Sequence, residues 1–146
     1  APLRLQWAWQ PDHLPLRVVV SPAMEEWDDD VDGAIQWWNT TLGRVVLLAM
    51  DDASKAGAIV VIDEYTGDAS KRIGEAERDG SLATVRAVCD QDSVAYPLRT
   101  MVHEIGHVLG LDHYPHTLSP MFWRIQDGEF ELQPDERALL MQGLPK

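Results

Sequence analysis

Apolar positions recur with a helical rhythm in the first third of this 146-residue chain. Between residues 23 and 42 they are spaced three and four apart, which predicts an amphipathic helix with one buried stripe. The members of this stripe are Trp27, Val31, Ala34, Ile35, Trp38 and Leu42. Gly43 follows at the position where helices commonly end. The aspartates at 28–30 and 32 are then predicted on the solvated face, since their spacing does not fit the alternative of a calcium-binding loop.

Short runs of β-branched and other apolar residues predict the strands of a sheet. These runs cover residues 16–21, 44–50, 56–62 and 81–89, and we expect the last of them at an edge of the sheet. A polar turn over residues 51–55 separates the second strand from the third. Residues 63–80, rich in charge and glycine, are interpreted as a surface loop, and residues 3–15 as an extended lead-in.

A second helix is predicted over residues 97–109, with Pro97 in its first turn. Its core stripe is predicted to consist of Leu98, Val102, Ile105 and Leu109. After an irregular stretch over residues 113–128, a short helix is predicted over residues 134–142. This combination of strands and helices indicates an α+β fold with a mixed sheet, and the length suits a single domain over residues 1–146.

The charge balance narrows the classes of partner. The chain has 24 acidic and 12 Lys or Arg residues, a formal net charge of −12. A surplus of acid argues against binding to nucleic acid or to an anionic membrane surface, because both depend on cationic side chains. No apolar run approaches the about 20 residues that cross a bilayer. The single cysteine, Cys89, cannot form a disulfide within the chain.

The start of the chain bears on its processing. No signal peptide is recognisable, and the first residue is Ala1 rather than Met. We therefore expect a trimmed or processed form from which a leader or propeptide is missing.

The segment HEIGHVLGLDH, residues 103–113, carries the candidate chemistry. His103 and His107 are four residues apart, so on a helix their two imidazoles share a face and can bind one metal ion. Gly110 can take the left-handed conformation that ends a helix, which lets the chain turn and return His113 as a third ligand. Glu104 lies on a different radius, where it can act as a general base on a water.

Three neutral imidazoles with one open position are typical of a catalytic zinc site rather than a closed structural one. We therefore predict one catalytic Zn²⁺ held by His103, His107 and His113, with Glu104 as the catalytic base. Asp112 is an alternative third ligand, but it stands one position away from the required spacing.

The pattern His103-Glu104-x-x-His107-x-x-Gly110-x-x-His113 resembles the long zinc signature of the metzincins. Ser119-Pro120-Met121 is similar to the methionine turn of that family, with Met121 as its methionine. The resemblance covers most of the chain and is greatest to the matrixins. It implies a twisted, four- to five-stranded mixed sheet, two long helices, a Met-turn and a short C-terminal helix.

The resemblance also implies an activity, that of an endopeptidase acting on polypeptide substrates. The substrate would lie along the edge strand, which we expect within residues 81–88, by strand addition. The candidate pocket residues are Tyr114, Phe122 and Trp123. Two of them depart from the matrixin pattern, because matrixins usually have Ser at the position of Tyr114 and Pro at that of Trp123. The second, structural zinc of vertebrate matrixins is not expected, and calcium is left open.

Two other functions fit the same signature. One is a zinc hydrolase that acts on a non-protein amide such as peptidoglycan, and the other is a zinc-binding interaction module without catalysis. The intact Glu104 argues against the second. A monomer is assumed. Since metzincins are usually secreted, the resemblance alone favours secretion.

Overall fold

The computed structural model describes residues 3–50, 59–67, 74–88 and 94–146. The strands are β1 (Leu16–Val20), β2 (Leu47–Ala49), β3 (Ile59–Glu64), β4 (Gly74–Asp79) and β5 (Leu82–Ala87), and the helices are α1 (Asp28–Leu42), α2 (Pro97–Leu109) and α3 (Pro134–Gly143). The α+β class, the mixed sheet and the two long helices with a shorter third are thereby confirmed. The extent of the domain over residues 1–146 stays a prediction.

The five described strands form one sheet in the order β2-β1-β3-β5-β4. All neighbours are parallel except β4, which runs antiparallel to β5 with Gly74 opposite Ala87 and Asp79 opposite Leu82. The predicted edge position of residues 81–89 is therefore wrong, because β5 lies between β3 and β4. The edge strand on this side of the sheet is β4, within the stretch interpreted as a loop. Its sequence, GEAERD, is rich in charged residues. An edge strand tolerates such residues, but they lack the apolar pattern by which a strand is predicted.

The core lies between one face of the sheet and the two long helices. Val60 and Ile62 of β3 are buried, as is every second residue of β5 from Ala83 to Ala87. The five stripe residues of α1 are buried too, and so is Trp27 just before it. Trp38 links the two helices, because its indole N–H donates to the Val102 carbonyl of α2 at 3.0 Å. Helix α2 is consequently enclosed on most sides, which holds its side chains at fixed positions.

Two details of the helices differ from the prediction. The helix expected from residue 23 begins only at Asp28, because residues Pro22–Trp27 form a 3₁₀ helix in which Met24 has non-helical backbone angles. Leu98 is 39% exposed rather than buried. Leu98 lies in the first turn of α2. Met101 and Val108, which were not predicted in the stripe, are buried.

Some predictions fall outside the described residues. These are the turn over residues 51–55, the start of the strand predicted from residue 56, and Cys89. None of the helices in the described ranges has the length and apolar character needed to cross a membrane.

The lead-in before β1 runs across the C-terminal end of α2, and we call residues 3–10 the N-terminal strap. The indole N–H groups of Trp7 and Trp9 both donate to the carbonyl oxygen of Val108, each at 2.8 Å. Trp9 also contacts the edge strand, because the Arg78 guanidinium of β4 lies 4.1 Å above the centre of its ring. The strap thus ties the end of α2 to the edge strand.

Candidate metal centre

Helix α2 presents two histidines one turn apart on the same face. Pro97 occupies its first turn, where a missing N–H costs nothing. The helix ends at Gly110, whose φ of 112° lies in the left-handed region. A side chain there would also crowd the N-terminal strap, since a Cβ built on Gly110 would lie 3.0 Å from the Trp7 carbonyl oxygen. The end of the helix is therefore set by glycine for two separate reasons.

The turn after Gly110 brings His113 back over the two helical histidines. The Leu111 N–H donates to the Gly106 carbonyl at 3.0 Å and closes the turn. The three ring centroids lie 4.7, 5.3 and 5.0 Å apart, and one nitrogen from each ring falls within 4.8 Å of the others. Within the described residues no other Cys, His, Asp or Glu joins this group. The alternative ligand Asp112 instead accepts hydrogen bonds from the Gln6 side chain and the His113 N–H.

Backbone carbonyls orient the first two rings. His103 Nδ1 lies 2.7 Å from the Pro120 oxygen, and His107 Nδ1 lies 2.8 Å from the Leu111 oxygen. A carbonyl can only accept, so each Nδ1 carries the proton and each Nε2 presents its lone pair. The two Nε2 atoms face one another at 3.2 Å. Two converging lone pairs, each fixed by a hydrogen bond on the far side of the ring, fit a metal cation such as zinc.

Burial favours the neutral form of these imidazoles. It is the largest cause that lowers the pKa of His103, to about 3, and the neighbouring His107 lowers it further. Burial likewise lowers the pKa of His107. Because a metal binds only the unprotonated nitrogen, His103 and His107 are held in the form that can coordinate at neutral pH.

Glu104 lies next to His103 but does not belong to the cluster of three histidines. It is 7% exposed, and its carboxylate approaches the start of the edge strand. A Cβ built on Gly74 of β4 would lie 3.6 Å from the Glu104 Cδ. The strand and the carboxylate are therefore neighbours, although they are about 30 residues apart in the sequence.

Met121 is fully buried in the turn formed by Ser119, Pro120 and Met121, and its sulfur lies against Gly106 of α2. Its N–H donates to the Ser119 hydroxyl oxygen at 2.9 Å, and its carbonyl oxygen accepts a hydrogen bond from the Tyr114 N–H at 2.9 Å. The same turn supplies the Pro120 carbonyl that orients His103. The predicted Met-turn residue thus lies directly against the segment that carries the candidate ligands.

The three candidate pocket residues have different environments. Phe122 is half-buried and Trp123 is 64% exposed, with their ring centroids 5.8 Å apart. Tyr114 is half-buried, and its hydroxyl donates to the Asp135 carboxylate at 2.6 Å. That bond is the main cause that raises the pKa of Tyr114 to about 12 and lowers the pKa of Asp135.

Several residues of the site were not singled out by the sequence. Pro120 and Leu111 act through their carbonyls, and backbone groups leave no trace in residue type. Glu136 is fully buried and accepts the Ser119 hydroxyl at 2.8 Å. An acidic residue in the first turn of a helix is usually interpreted as favourable to the helix dipole, so nothing in the residue pattern connects Glu136 with the Met-turn.

Comparison with known proteins gives two findings. The sequence profile of the matrixin family matches residues 22–142. Among solved structures, metalloproteinase-II from Bacteroides fragilis is similar in fold, with a TM-score of 0.55 and 17% sequence identity over 99% of this chain. The chain spans 57% of the length of that structure. No curated protein matches the chain.

Proposed function

The chain belongs to the matrixin family of zinc metallopeptidases, and on this premise we propose that it is a zinc-dependent endopeptidase of the metzincin type. His103, His107 and His113 would hold one catalytic zinc. The observation that carries the proposal is the pair of Nε2 atoms that face each other at 3.2 Å, with both Nδ1 atoms bonded to carbonyls. Three imidazole ligands would leave a fourth position open on the zinc, as catalytic zinc sites require.

Glu104 is proposed as the general base. Bound zinc would supply Lewis acidity, which lowers the pKa of a water to about 7 and polarises a carbonyl group. The Glu104 carboxylate would take a proton from the attacking water and pass it to the departing amine. Its position beside the ligands, but outside their group, suits proton transfer rather than coordination.

The substrate is proposed to bind along β4, not within residues 81–88 as the sequence favoured. Strand β4 is the last strand on its side of the described sheet, so a peptide can add to its free side by backbone hydrogen bonds. Gly74, at the beginning of β4, lies against the Glu104 side chain. A peptide paired with β4 would therefore pass close to the proposed base.

The pocket for the substrate side chain after the cleaved bond is proposed to be bounded by Phe122 and Trp123. Both follow the Met-turn directly, and the Trp123 ring offers a large exposed apolar surface. Trp123→Ala is expected to change which side chains are preferred at that substrate position more than it changes the overall rate. Met141→Ala, at another exposed apolar residue on α3, is a matched control that should leave the preference unchanged.

The proposal is tested by Glu104→Gln, which replaces the base with a side chain of similar size. Loss of a general base costs on the order of 10²- to 10⁴-fold in rate. We expect cleavage of a peptide library to fall by this amount while the zinc content and the circular dichroism spectrum stay those of the unmodified chain. Glu131→Gln, on an exposed segment, should retain full activity. Normal turnover in Glu104→Gln would contradict the role of Glu104.

A further inference from the structure

The three histidines of the cluster are not supported equally. The rings of His103 and His107 each have a carbonyl at Nδ1, and both residues lie on α2. His113 is exposed and follows the helix on an irregular segment. In the part of the chain that the structure describes, no hydrogen bond reaches its ring. Its position must therefore be held by its neighbours along the chain.

Tyr114, the next residue, is anchored at both its backbone and its side chain. Its N–H donates to the Met121 carbonyl at 2.9 Å, which fixes the backbone against the Met-turn. Its hydroxyl donates to Asp135 Oδ2 at 2.6 Å, a length typical of a strong, charge-assisted hydrogen bond. The ring between these two anchors packs against the hydrophobic core.

Asp135 is a fixed partner, although its side chain is exposed, because the first turn of α3 is itself held in place. The neighbouring Glu136 accepts the Ser119 hydroxyl at 2.8 Å and the Gln133 N–H at 3.1 Å. Ser119 also binds the Met121 N–H at 2.9 Å. Both anchors of Tyr114 thus lead to the same buried turn, whose Pro120 carbonyl also bonds His103.

We propose that Tyr114 and Asp135 form a latch that positions His113 as the third metal ligand. The inference rests on the proposed function, and it assigns Tyr114 as a positioning residue. Its hydroxyl points to α3 and is engaged there by a carboxylate. A histidine that binds zinc is usually oriented by a hydrogen bond from its other ring nitrogen. The His113 ring has no such bond among the described residues, so the latch would orient it instead.

Removal of a group that hydrogen-bonds a metal ligand typically lowers the metal affinity about 10- to 100-fold. The latch acts one residue away from the ligand, so we expect the lower end of this range. Tyr114→Phe removes only the hydroxyl and keeps the ring in the core. Asp135→Ala removes the acceptor and keeps the tyrosine. Each substitution should lower the metal affinity about tenfold. The double variant should lose no more affinity than either single variant, because both substitutions remove the same bond.

The test uses the full chain loaded with Co²⁺, whose visible absorption reports the number and geometry of its ligands, together with zinc competition against a chromophoric chelator. In Tyr114→Phe and Asp135→Ala we expect a weaker and altered cobalt spectrum and about tenfold weaker zinc binding. Asp135→Asn keeps an acceptor oxygen and should restore most of both. Tyr65→Phe, at a tyrosine beyond the end of β3, should match the unmodified chain.

The outcomes separate the two proposals. An unmodified chain that binds one cobalt, with variants whose spectra and affinities are the same, would overturn the latch and leave the metal centre intact. An unmodified chain that takes up neither cobalt nor zinc would overturn the metal centre and the latch with it. A loss in Tyr114→Phe that Asp135→Ala does not reproduce would also overturn the latch, because it would trace the effect to the Tyr114 hydroxyl acting elsewhere rather than to its bond with Asp135.

Discussion

Ser119 and Glu136 share a hydrogen bond in the protein core, where the serine hydroxyl lies 2.8 and 3.0 Å from the two carboxylate oxygens. Both residues are 0% exposed. The pKa of the Glu136 carboxyl is raised above its ordinary value, mainly because the group is buried. The bond joins α3 to the turn that contains Met121, so the last helix is part of the support of the candidate metal centre.

Glu136→Ala is therefore expected to destabilise the fold. It leaves the Ser119 hydroxyl and the Gln133 N–H without their acceptor, and one unsatisfied buried polar group costs about 1–3 kcal/mol. Urea denaturation should show a free energy of unfolding lower by about 2 kcal/mol. Glu129→Ala, at an exposed position, serves as the control and should change stability little. Equal stability of the two variants would show that the buried bond contributes nothing.

Gly106 has its own steric requirement, because a side chain at this position would overlap the Met121 sulfur and lie 3.0 Å from the Trp38 ring. Alanine is a better helix former than glycine by about 1 kcal/mol, but overpacking a core costs about 1–3 kcal/mol. We expect Gly106→Ala to lower the melting temperature and to weaken zinc binding.

Gly33→Ala, on α1, is the matched control for this substitution. Its Cβ would meet only the end of the Leu98 side chain, at 3.0 Å. Since that flexible side chain can move, the helical gain should dominate, and Gly33→Ala should be neutral or stabilising. If Gly106→Ala were equally well tolerated, the close packing of α2 on Met121 would not limit the residue at 106.

The lowered pKa of His103 predicts a pH dependence of stability in chelator-treated protein. In the unfolded chain this histidine takes up a proton below about pH 6.5. In the folded chain burial and His107 lower its pKa to about 3. Between these values only the unfolded state binds the proton, so stability is lost as the pH falls.

At pH 5 this effect amounts to about 2 kcal/mol relative to neutral pH. Urea denaturation at pH 7.5 and pH 5 measures it, with His103→Gln as the comparison, because glutamine does not titrate. The free energy of unfolding should fall more steeply in the unmodified chain than in the variant. Parallel pH profiles would contradict a buried, neutral His103.

The N-terminal strap predicts a non-additive effect. Trp7 and Trp9 donate to the same Val108 carbonyl, each at 2.8 Å. Removal of one indole N–H leaves this carbonyl, in the last turn of α2, with the other donor. Trp7→Phe and Trp9→Phe should each cost about 1 kcal/mol, and the double variant should exceed their sum. A double-mutant cycle by urea denaturation measures the coupling, and strict additivity would mean that the two bonds act independently.

The fold could be predicted from the sequence wherever one face of an element is buried. The stripe from Trp27 to Leu42 and the apolar runs of β1 and β3 have the periodicity of their burial. Strand β4 could not be predicted, because its charged residues lie on an edge strand and carry no such period. The true start of α1 was missed because a 3₁₀ helix has almost the same apolar spacing as the α-helix that follows it.

The candidate site could be predicted to the level of its side chains and no further. The spacing of His103, His107 and His113 reflects helix geometry and a glycine turn, which residue types encode directly. The carbonyls of Pro120 and Leu111 depend on tertiary packing, and so does the bond between Tyr114 and Asp135. Residue types do not encode these contacts, because only the folded chain brings the partners together.

The most direct test of the central claim is casein cleavage by zinc-equilibrated protein, measured before chelation, after chelation and after zinc is restored. We expect internal cleavage at several bonds, abolished by the chelator and recovered with one zinc per chain. Protein that binds one zinc but never cleaves a polypeptide would contradict the endopeptidase and favour a non-protein amide or a binding role. Cleavage that persists without bound metal would contradict the zinc centre itself.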